Sequence, residues 1–373
     1  MDKNNLVNKI LSITLDNERI VITIFCLKIK FKDKNFYVFY NRYIKRLLRF
    51  VKMHSYIPKR NFFVYLFKYN HITINILEQF ISIREFINYY LGLKLNIHSM
   101  DMNLTTRCTL RCKECGSLMP FYTSEKQWTI DFETFKKDLN KLLKCVNNIY
   151  RFKLIGGEPL LVKDLDKMLE YAASKRKIKT IEIVTNGTLA FSEKLISVMC
   201  KHKNKLLVSI SDYSSNPDLI LKHCELENIL KTNCIKYQFI SPFWYERGNI
   251  KKKNRDIKEL KRVFSKCWQK ELLCLFDGKF YNCTRAATIE RLTNYRCSDG
   301  QMIDLRNNAV KIIKNQYKLL FTKEYFNTCD FCEEVNDKKI LPAEQTNEIL
   351  RISQIYSNET DEASQTGMTV KRK

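Results

Sequence analysis

The sequence lacks several features that would place it in common protein classes. No uncharged apolar stretch approaches the roughly 20 residues that a membrane span requires, so a transmembrane protein is not expected. The first apolar run, Ile20 to Leu27, follows Asp16 and Glu18 and has no small-residue cleavage site after it, which argues against a secretory signal. These absences predict a cytoplasmic protein whose 14 cysteines stay reduced and available to metal.

Acidic residues are scarce relative to basic ones. The 373 residues include 65 Lys and Arg against 40 Asp and Glu, a net charge of +25. Residues 1–60 hold fourteen of the basic and four of the acidic residues. Such a surplus suits nucleic acid, a membrane surface or an acidic substrate. Because no aromatic-plus-basic nucleic-acid motif of a known type is present, a nucleic-acid partner is not expected.

Residues 1–100 are predicted to form a separate basic appendage. The alternating, β-branched stretch Arg19 to Lys32 predicts one or two strands. Apolar residues from Tyr40 to Val51 recur at helical spacing opposite a basic face. This amphipathic helix could contact an anionic membrane surface or pack on the rest of the protein, and packing is favoured. A second helix is predicted over Thr73 to Leu91, with Gly92 as its stop.

From residue 101 to residue 250, strand patterns alternate with helix patterns, which predicts parallel βα units. The predicted strands are Met102–Thr105, Tyr150–Ile155, Thr180–Val184, Leu206–Ile210 and Ile235–Ile240. The predicted helices are Phe132–Val146, with Asp131 as N-cap, Leu165–Ser174, Leu195–His202 and Asp218–Leu230. Each chemically interesting motif follows a strand's carboxyl end, the rim that carries the active site in parallel barrels. The expected fold is α/β, an open partial barrel of about six units.

Three cysteines, Cys108, Cys112 and Cys115, share one short loop with the spacing C-x3-C-x2-C. Short spacers bring their sulfurs close together, and thiolates hold zinc and iron–sulfur clusters. A structural zinc needs a fourth ligand, and no further His or Cys lies nearby in the sequence. Three cysteine ligands leave one iron of a four-iron cluster without a protein ligand. Chemistry occurs at such an open metal position.

The stretch Gly156, Gly157, Glu158 and Pro159 follows the next predicted strand. The two glycines allow close backbone approach to a ligand, Glu158 can accept a hydrogen bond from an ammonium group, and Pro159 rigidifies the turn. Asn186 and Ser211 follow the two strands after that. They are candidates for contact with a cofactor or substrate, or are equally well turn residues.

The cysteine loop together with the Gly-Gly-Glu-Pro motif resembles the radical S-adenosylmethionine (SAM) superfamily. The resemblance implies that Cys108, Cys112 and Cys115 hold a [4Fe–4S] cluster and that the motif binds the amino group of SAM. It further implies electron transfer from the reduced cluster to SAM, a 5′-deoxyadenosyl radical, and an electron donor such as flavodoxin or ferredoxin. One departure is Glu114, where the family usually has an aromatic residue against the adenine; Phe121 or Tyr122 is a candidate replacement.

A second cysteine set occupies residues 251–340. Cys267 and Cys283 flank an Asp277-Gly278 hairpin turn, and Cys329 and Cys332 form a C-x2-C pair. The set resembles the SPASM and twitch extensions of radical SAM enzymes. Since no Cys follows Cys332, the twitch form with one auxiliary iron–sulfur cluster fits better. Cys274 and Cys297 are spare candidates, and a structural Zn(Cys)4 site is the alternative.

The resemblance to twitch enzymes implies that a single auxiliary cluster takes an electron back from the substrate radical. This predicts net oxidation of a carbinol, as expected for a sugar-like substrate in surface polysaccharide or carbohydrate metabolism. The loop Ser241 to Arg247 is proposed as substrate wall, with Glu246 and Arg247 as catalytic candidates. Two alternatives remain: a radical SAM maturase modifying a ribosomal peptide, and a non-catalytic zinc- and nucleic-acid-binding protein. Residues 341–373 are expected to be a largely disordered tail.

Overall fold

The computed structural model describes residues 11–16, 19–24, 27–53, 71–214, 216–241, 243–270, 272–297, 300–335 and 339–346. At the N-terminal end, three strands form an antiparallel sheet in sequence order: β1 (Leu11–Asp16), β2 (Arg19–Ile24) and β3 (Leu27–Phe31). The predicted strand region is therefore correct, and an additional strand precedes it. No helix among the described residues is long and apolar enough to cross a membrane.

The basic amphipathic helix packs its apolar face on the rest of the protein. It runs from α1 (Lys34–Phe39) through one π-helical turn, Tyr40–Ile44, into α2 (Lys45–Met53). Tyr43, Ile44 and Leu47 are fully buried. The Tyr43 hydroxyl donates to the carbonyl of Asn96 at 2.6 Å, just before the first barrel strand. Because its apolar side chains fill the core, this face is not available to a membrane, and only the basic face is left for surface contact.

An eight-stranded sheet forms the centre of the molecule, in the order β12-β11-β10-β4-β5-β6-β7-β8. Six neighbouring strands, from β10 to β8, are parallel. This row confirms the predicted α/β partial barrel. The sheet's strands are β4 (Ile97–Asn103), β5 (Ile149–Ile155), β6 (Ile178–Thr185), β7 (Leu206–Ser211), β8 (Tyr237–Ile240), β10 (Leu273–Phe276), β11 (Lys279–Tyr281) and β12 (Met302–Asp304).

Helices connect these strands and pack on the sheet. Asp131 caps the first barrel helix as predicted, because its carboxylate accepts the Thr134 N–H at 2.9 Å. The helices are α3 (His71–Tyr90), α4 (Phe132–Cys145), α5 (Leu165–Ser174), α6 (Glu193–Lys201), α7 (Pro217–Thr232), α8 (Ile257–Lys266), α9 (Thr284–Leu292) and α10 (Val310–Thr322).

The cysteine-rich C-terminal region does not form a sheet of its own. Asp277 and Gly278 both have positive φ, as the predicted tight turn requires, and connect β10 to β11. Strand β10 then pairs in parallel with β4, the first barrel strand. Leu273 and Leu275 belong to the same hydrophobic core as the barrel. The proposed boundary near residue 250 is thus not a break in the sheet.

The segment 339–346 crosses the cysteine loop. Strand β13 (Lys339–Ile340) pairs with β9 (Trp244–Tyr245). The Lys113 N–H then donates to the Glu344 carbonyl at 2.9 Å, and the Thr346 N–H donates to the Arg111 carbonyl at 2.8 Å. Residues 341–346 are therefore ordered against the site, which corrects their assignment to a disordered tail. The rest of the predicted tail, residues 347–373, lies outside the described residues.

Candidate active site

A cavity of about 320 Å³ opens at the carboxyl ends of the parallel strands. Most of the site residues predicted for the barrel line it together: Cys108, Cys112, Cys115, Gly156, Gly157, Asn186, Ser211 and Arg247. Ser241 and Trp244 of the proposed substrate loop also line it. Glu158, Pro159 and Glu246 are not part of its wall. Residues separated by up to 139 positions in sequence thus meet because parallel strands end at one rim.

The three cysteine side chains of the loop are held by neighbouring polar groups. Cys108 Sγ accepts from the Leu110 N–H at 3.5 Å and from the Asn186 amide at 3.6 Å. Cys112 Sγ accepts from the Gln345 amide at 3.3 Å. Burial raises the pKa of Cys108 and of Cys112 to about 12, and it also raises the pKa of Cys115. Metal binding must therefore displace protons from these thiols.

The donor set fits an iron–sulfur cluster. All thirteen cysteines among the described residues are free thiols. Within the described parts of the chain, no group of three or more His, Cys, Asp or Glu side chains is arranged to hold a single metal ion. A four-iron cluster is wider than one ion and takes thiolate ligands. Three thiols facing one cavity match that requirement.

The Gly156-Gly157 turn packs directly on the strand end that leads into the cysteine loop. The Gly157 N–H donates to the Thr105 carbonyl at 2.7 Å, and the Glu158 N–H donates to the Arg107 carbonyl at 2.8 Å. A Cβ at Gly156 would overlap the Thr105 backbone, and one at Gly157 would overlap the Arg107 carbonyl. The glycines therefore set the distance between the motif and the cysteine loop.

Glu158 has a different position from the one predicted. Its side chain is fully buried, and its carboxylate accepts from the Leu160 N–H, the Thr185 hydroxyl and the Asn186 N–H at 2.8–3.0 Å. Burial raises its pKa to about 7. In this arrangement the carboxylate connects two strand ends rather than meeting an ammonium group in the cavity. Glu158 thereby orients Asn186, which does reach the cavity.

Charged side chains at the barrel's inner surface were missed by the sequence reasoning. Lys153 Nζ lies 2.9 Å from the Asp101 carboxylate. Arg151 forms an ion pair with Glu182, with its Nη2 donating at 2.6 Å. All four side chains line the cavity. The signal was available, because parallel strands buried on both faces are normally continuous apolar runs, and charges at alternate positions of β5 break that rule.

Glu114 connects the cysteine loop to the proposed substrate loop. Its carboxylate accepts the Arg247 N–H at 2.7 Å, and it lines the cavity. Phe121 and Tyr122, the candidate replacements for the usual aromatic residue, are instead buried in a hydrophobic cluster beside Cys108 and Cys115. Neither lines the cavity.

The four cysteines of the second set influence one another electrostatically. Burial raises the pKa of Cys329, and the neighbouring thiols of Cys332, Cys283 and Cys267 raise it further. Burial likewise raises the pKa of Cys283 to about 12, with added contributions from Cys332 and Cys267. All four predicted ligands are therefore close enough to affect one another's pKa.

The two spare cysteines have other surroundings. Cys274 is fully buried in β10, and its sulfur accepts from the Asn103 amide at 2.9 Å. Cys297 donates its N–H to the Glu290 carboxylate at 2.9 Å. Both interact electrostatically with Cys283. Their polar contacts are with groups outside the four-cysteine set.

Comparison with known families agrees with this geometry. Residues 102–232 match the family model of the radical SAM superfamily. These residues form a radical SAM domain. The matched range contains the three-cysteine loop, the Gly-Gly-Glu-Pro motif and Asn186. The cofactors of such a domain are a [4Fe–4S] cluster and SAM.

Curated relatives are similar to the chain over part of their length. GTP 3′,8-cyclase of Syntrophomonas wolfei is 29% identical over 147 residues, which are 35% of this chain and 44% of the relative. GTP 3′,8-cyclase of Aquifex aeolicus is 31% identical over 123 residues, 32% of this chain and 36% of the relative. The chain thus spans less than half the length of these relatives.

Two solved structures are similar to the chain at low identity. BtrN in complex with AdoMet and 2-DOIA is 15% identical, with 69% of this chain and 99% of that chain covered and a TM-score of 0.42. The anSMEcpe structure with bound AdoMet and the Kp18Cys peptide is 16% identical, with 72% and 97% covered and a TM-score of 0.38.

Proposed function

We propose that this protein is a radical SAM enzyme that abstracts a hydrogen atom from a hydroxylated, sugar-like substrate and oxidises it. One observation carries the proposal: a single cavity collects Cys108, Cys112, Cys115, the Gly156-Gly157 backbone and Asn186 at the rim of the parallel sheet. A ligand there contacts the three thiols and the strand-end backbone at once. The radical SAM domain spans all of these residues.

Cys108, Cys112 and Cys115 hold the cluster in this proposal, and the Gly156-Gly157 backbone and Asn186 contact SAM. When bound, the cluster and SAM together supply a 5′-deoxyadenosyl radical. The chain's part is to orient the cofactor and keep water away. Glu158 contributes by fixing the Asn186 backbone, and Gln345 covers Cys112 from the outer side.

Cys267, Cys283, Cys329 and Cys332 are proposed to bind one auxiliary iron–sulfur cluster. Their mutual influence on thiol pKa supports a shared site. The hairpin that carries Cys283 pairs with the first barrel strand, so the two sets are fixed relative to each other. A flavodoxin or ferredoxin in the cytoplasm is proposed as the electron donor.

The cavity wall supports a polar, hydroxyl-bearing substrate. Two ion pairs face it, and such charged groups hydrogen-bond the hydroxyls of a bound ligand; they are formed by Asp101 with Lys153 and by Arg151 with Glu182. Trp244 and Trp268 add aromatic surface. Of the two catalytic candidates in the substrate loop, Arg247 lines the cavity and Glu246 does not, so we retain Arg247 as a substrate contact.

A nucleotide cyclase is the second candidate, favoured by the GTP 3′,8-cyclases among the relatives. Their similarity covers about one third of this chain, which is too little to carry over the substrate of the whole relative. Arg247 is a cation in the cavity that could meet a phosphate group. Peptide modification, the remaining alternative, is resolved by the same substrate test.

Iron and sulfide analysis tests cofactor binding. After anaerobic reconstitution, we expect about eight iron and eight sulfide per wild-type chain, because each [4Fe–4S] cluster contributes four of each. The variants C108A/C112A/C115A and C267A/C283A/C329A/C332A should each retain about half. The double variant C145A/C200A, in helices away from both sets, is the control. Stoichiometric zinc without sulfide in the wild type would contradict the proposal.

Deuterium transfer tests the substrate class. Sugars and cyclitols carrying deuterium at their carbinol carbons, deuterated GTP and deuterated peptides are each incubated with reduced enzyme and SAM. Oxidation of a carbinol predicts deuterium in 5′-deoxyadenosine and a carbonyl product from a member of the first group. Label transferred from GTP or from a peptide would replace the dehydrogenase proposal with the corresponding alternative.

A further inference from the structure

The backbone of Arg247 connects the two cysteine sets. Its N–H donates to the carboxylate of Glu114, which lies between Cys112 and Cys115, at 2.7 Å. Its carbonyl accepts from the N–H of Glu333, the residue after Cys332, at 3.1 Å. The same carbonyl accepts from Arg285 Nη2 at 3.1 Å. One residue's peptide groups therefore bridge the loop of one set and two segments of the other.

Close packing fixes this bridge in place. Gly248, the next residue, has a φ of +78°. A Cβ there would lie 2.8 Å from the Phe331 carbonyl oxygen and 3.0 Å from the Glu333 nitrogen. The Arg247-Gly248 segment consequently lies directly against the turn that contains Cys329 and Cys332.

Arg285 has a buried charge with unfilled hydrogen-bonding capacity. It is 4% exposed and lies two residues after Cys283, in the first turn of α9. Its Nη2 donates to the carbonyls of Arg247, Asn249 and Phe331 at 3.1–3.4 Å. Its Nε and Nη1 have no hydrogen-bond partner among the described residues. Burying a guanidinium charge is costly unless an anion or hydrogen-bond acceptors compensate it, so the charge and these two donors favour an anionic group nearby.

The cavity does not supply that anion. Arg285 is not part of the cavity wall, whereas Arg247 is, with its guanidinium 4.5 Å from the centre of the Trp268 ring. Burial and the charge of Arg285 lower the pKa of Arg247, while Cys267, Cys332 and Cys115 raise it. Arg285 Nη2 contacts the carbonyls of Arg247 and Phe331, which places Arg285 between the two cysteine sets. The charges of Arg285 and Arg247 also act to lower the pKa of Cys115.

We propose that Arg285, assisted by Arg247, raises the reduction potential of the auxiliary iron–sulfur cluster. This inference rests on the proposed function, in which Cys267, Cys283, Cys329 and Cys332 bind that cluster. A cluster with four thiolate ligands is an anion, and its potential depends on nearby charge and on hydrogen bonds to its sulfurs. Buried cations and free N–H donors stabilise the reduced form, which carries one more negative charge.

A redox titration followed by electron paramagnetic resonance tests the proposal. The full chain carrying C108A/C112A/C115A holds only the auxiliary cluster and is the background for each variant. Arg285→Gln is expected to reduce the ratio of reduced to oxidised cluster about tenfold at a fixed potential, equivalent to about 59 mV for one electron. Arg285→Lys keeps the charge and should retain most of the wild-type ratio.

Arg291→Gln is the matched control, since Arg291 is on the same helix but pairs with Asp277. It should leave the potential unchanged. If Arg285→Gln fails to assemble the cluster, Arg247→Gln is the second test, because its backbone bridge does not need the side chain, and a lowered ratio is again expected. Unchanged potential in Arg285→Gln, or in Arg247→Gln where that variant decides, overturns this inference alone. Absence of iron and sulfide from the wild-type set overturns the proposed function itself.

Discussion

At the scale of single residues, the site depends on backbone positions where a side chain has no room. Gly157→Ala places a methyl group on the Arg107 carbonyl, next to Cys108. We expect a loss of about 1–3 kcal/mol in the free energy of unfolding of the apoprotein, because the strand end must move away. Iron bound by the three-cysteine loop should fall in parallel. Urea unfolding and iron analysis measure the two effects.

Gly116→Ala is the control for this prediction. Gly116 also lines the cavity, directly after Cys115, but an added Cβ meets no atom within 4 Å. Its stability and iron content should stay near those of the wild type. Equal losses of stability and iron in both variants would mean that the close backbone approach at Gly157 does not determine either property.

Glu158 makes stability depend on pH. Burial raises its pKa in the folded state from 4.5 to about 7, so the folded protein favours the protonated acid. The resulting contribution to stability is fully present below the unfolded pKa and is lost as pH rises through the folded pKa. Relative to Glu158→Gln, the wild type should therefore lose about 2–3 kcal/mol in unfolding free energy between about pH 5 and about pH 8.

Urea unfolding of both apoproteins across this pH range measures the difference. Groups other than Glu158 titrate in both proteins and cancel in the comparison. A difference that does not vary with pH, or that grows as pH rises, would show that the three hydrogen bonds to the carboxylate outweigh its burial.

At the scale of elements, the segment 341–346 acts as a cover for the cysteine loop. The Gln345 side chain accepts from the Arg111 N–H at 2.7 Å and donates to Cys112 Sγ. Gln345→Ala removes both contacts. Because the Arg111 N–H is exposed to water, we expect the substitution to loosen the cover over Cys112 rather than to destabilise the fold. We expect iron to be removed from this cluster by a chelator several times faster than in the wild type.

Glu344→Gln is the comparison for the cover. Glu344 pairs with Lys113 at the surface, where an ion pair contributes little. Its backbone contact to the loop is unchanged by the substitution. Chelation rates that rise equally in both variants would argue that the segment's charge, rather than the Gln345 contacts, protects the cluster.

At the scale of the whole molecule, one sheet and one core join the barrel to the C-terminal region. Cys145 is buried in α4 of the barrel, and Cys274 is buried in β10 of the C-terminal hairpin. Because β10 pairs with β4, both regions should unfold together. In the reduced apoprotein, the two thiols should become reactive at the same urea concentration. Labelling of Cys274 well before Cys145 would identify an independent C-terminal domain.

The strands and helices of the barrel were predicted well from sequence patterns. Helix α5 has the predicted bounds, and strands β5 to β8 differ from prediction by at most two residues at either end. Those elements have strong local signals, namely strand alternation, helical periodicity and the Asp131 cap. The three-cysteine loop and the glycine pair could also be identified from the sequence, because the residues of each lie close together in the chain.

Long-range partners were not predictable in the same way. The pairing of β10 with β4 and the position of Gln345 on Cys112 join residues more than 170 positions apart, and no local pattern encodes them. The hydrogen bonds of Glu158 were not predictable, because its three donors come from two different strand ends. The bridge uses the peptide groups of Arg247, so the residue type at position 247 does not reveal it.

Cleavage of SAM tests whether the three-cysteine loop holds a catalytic cluster. The full chain is reconstituted anaerobically, reduced and incubated with SAM, and 5′-deoxyadenosine is measured by mass spectrometry. We expect the wild type and the Cys145→Ala control to form 5′-deoxyadenosine. The variant C108A/C112A/C115A should form none above background. A wild-type protein that contains an intact four-iron cluster and forms no 5′-deoxyadenosine, or a triple variant that forms as much as the wild type, would contradict the assignment of this loop to a catalytic cluster.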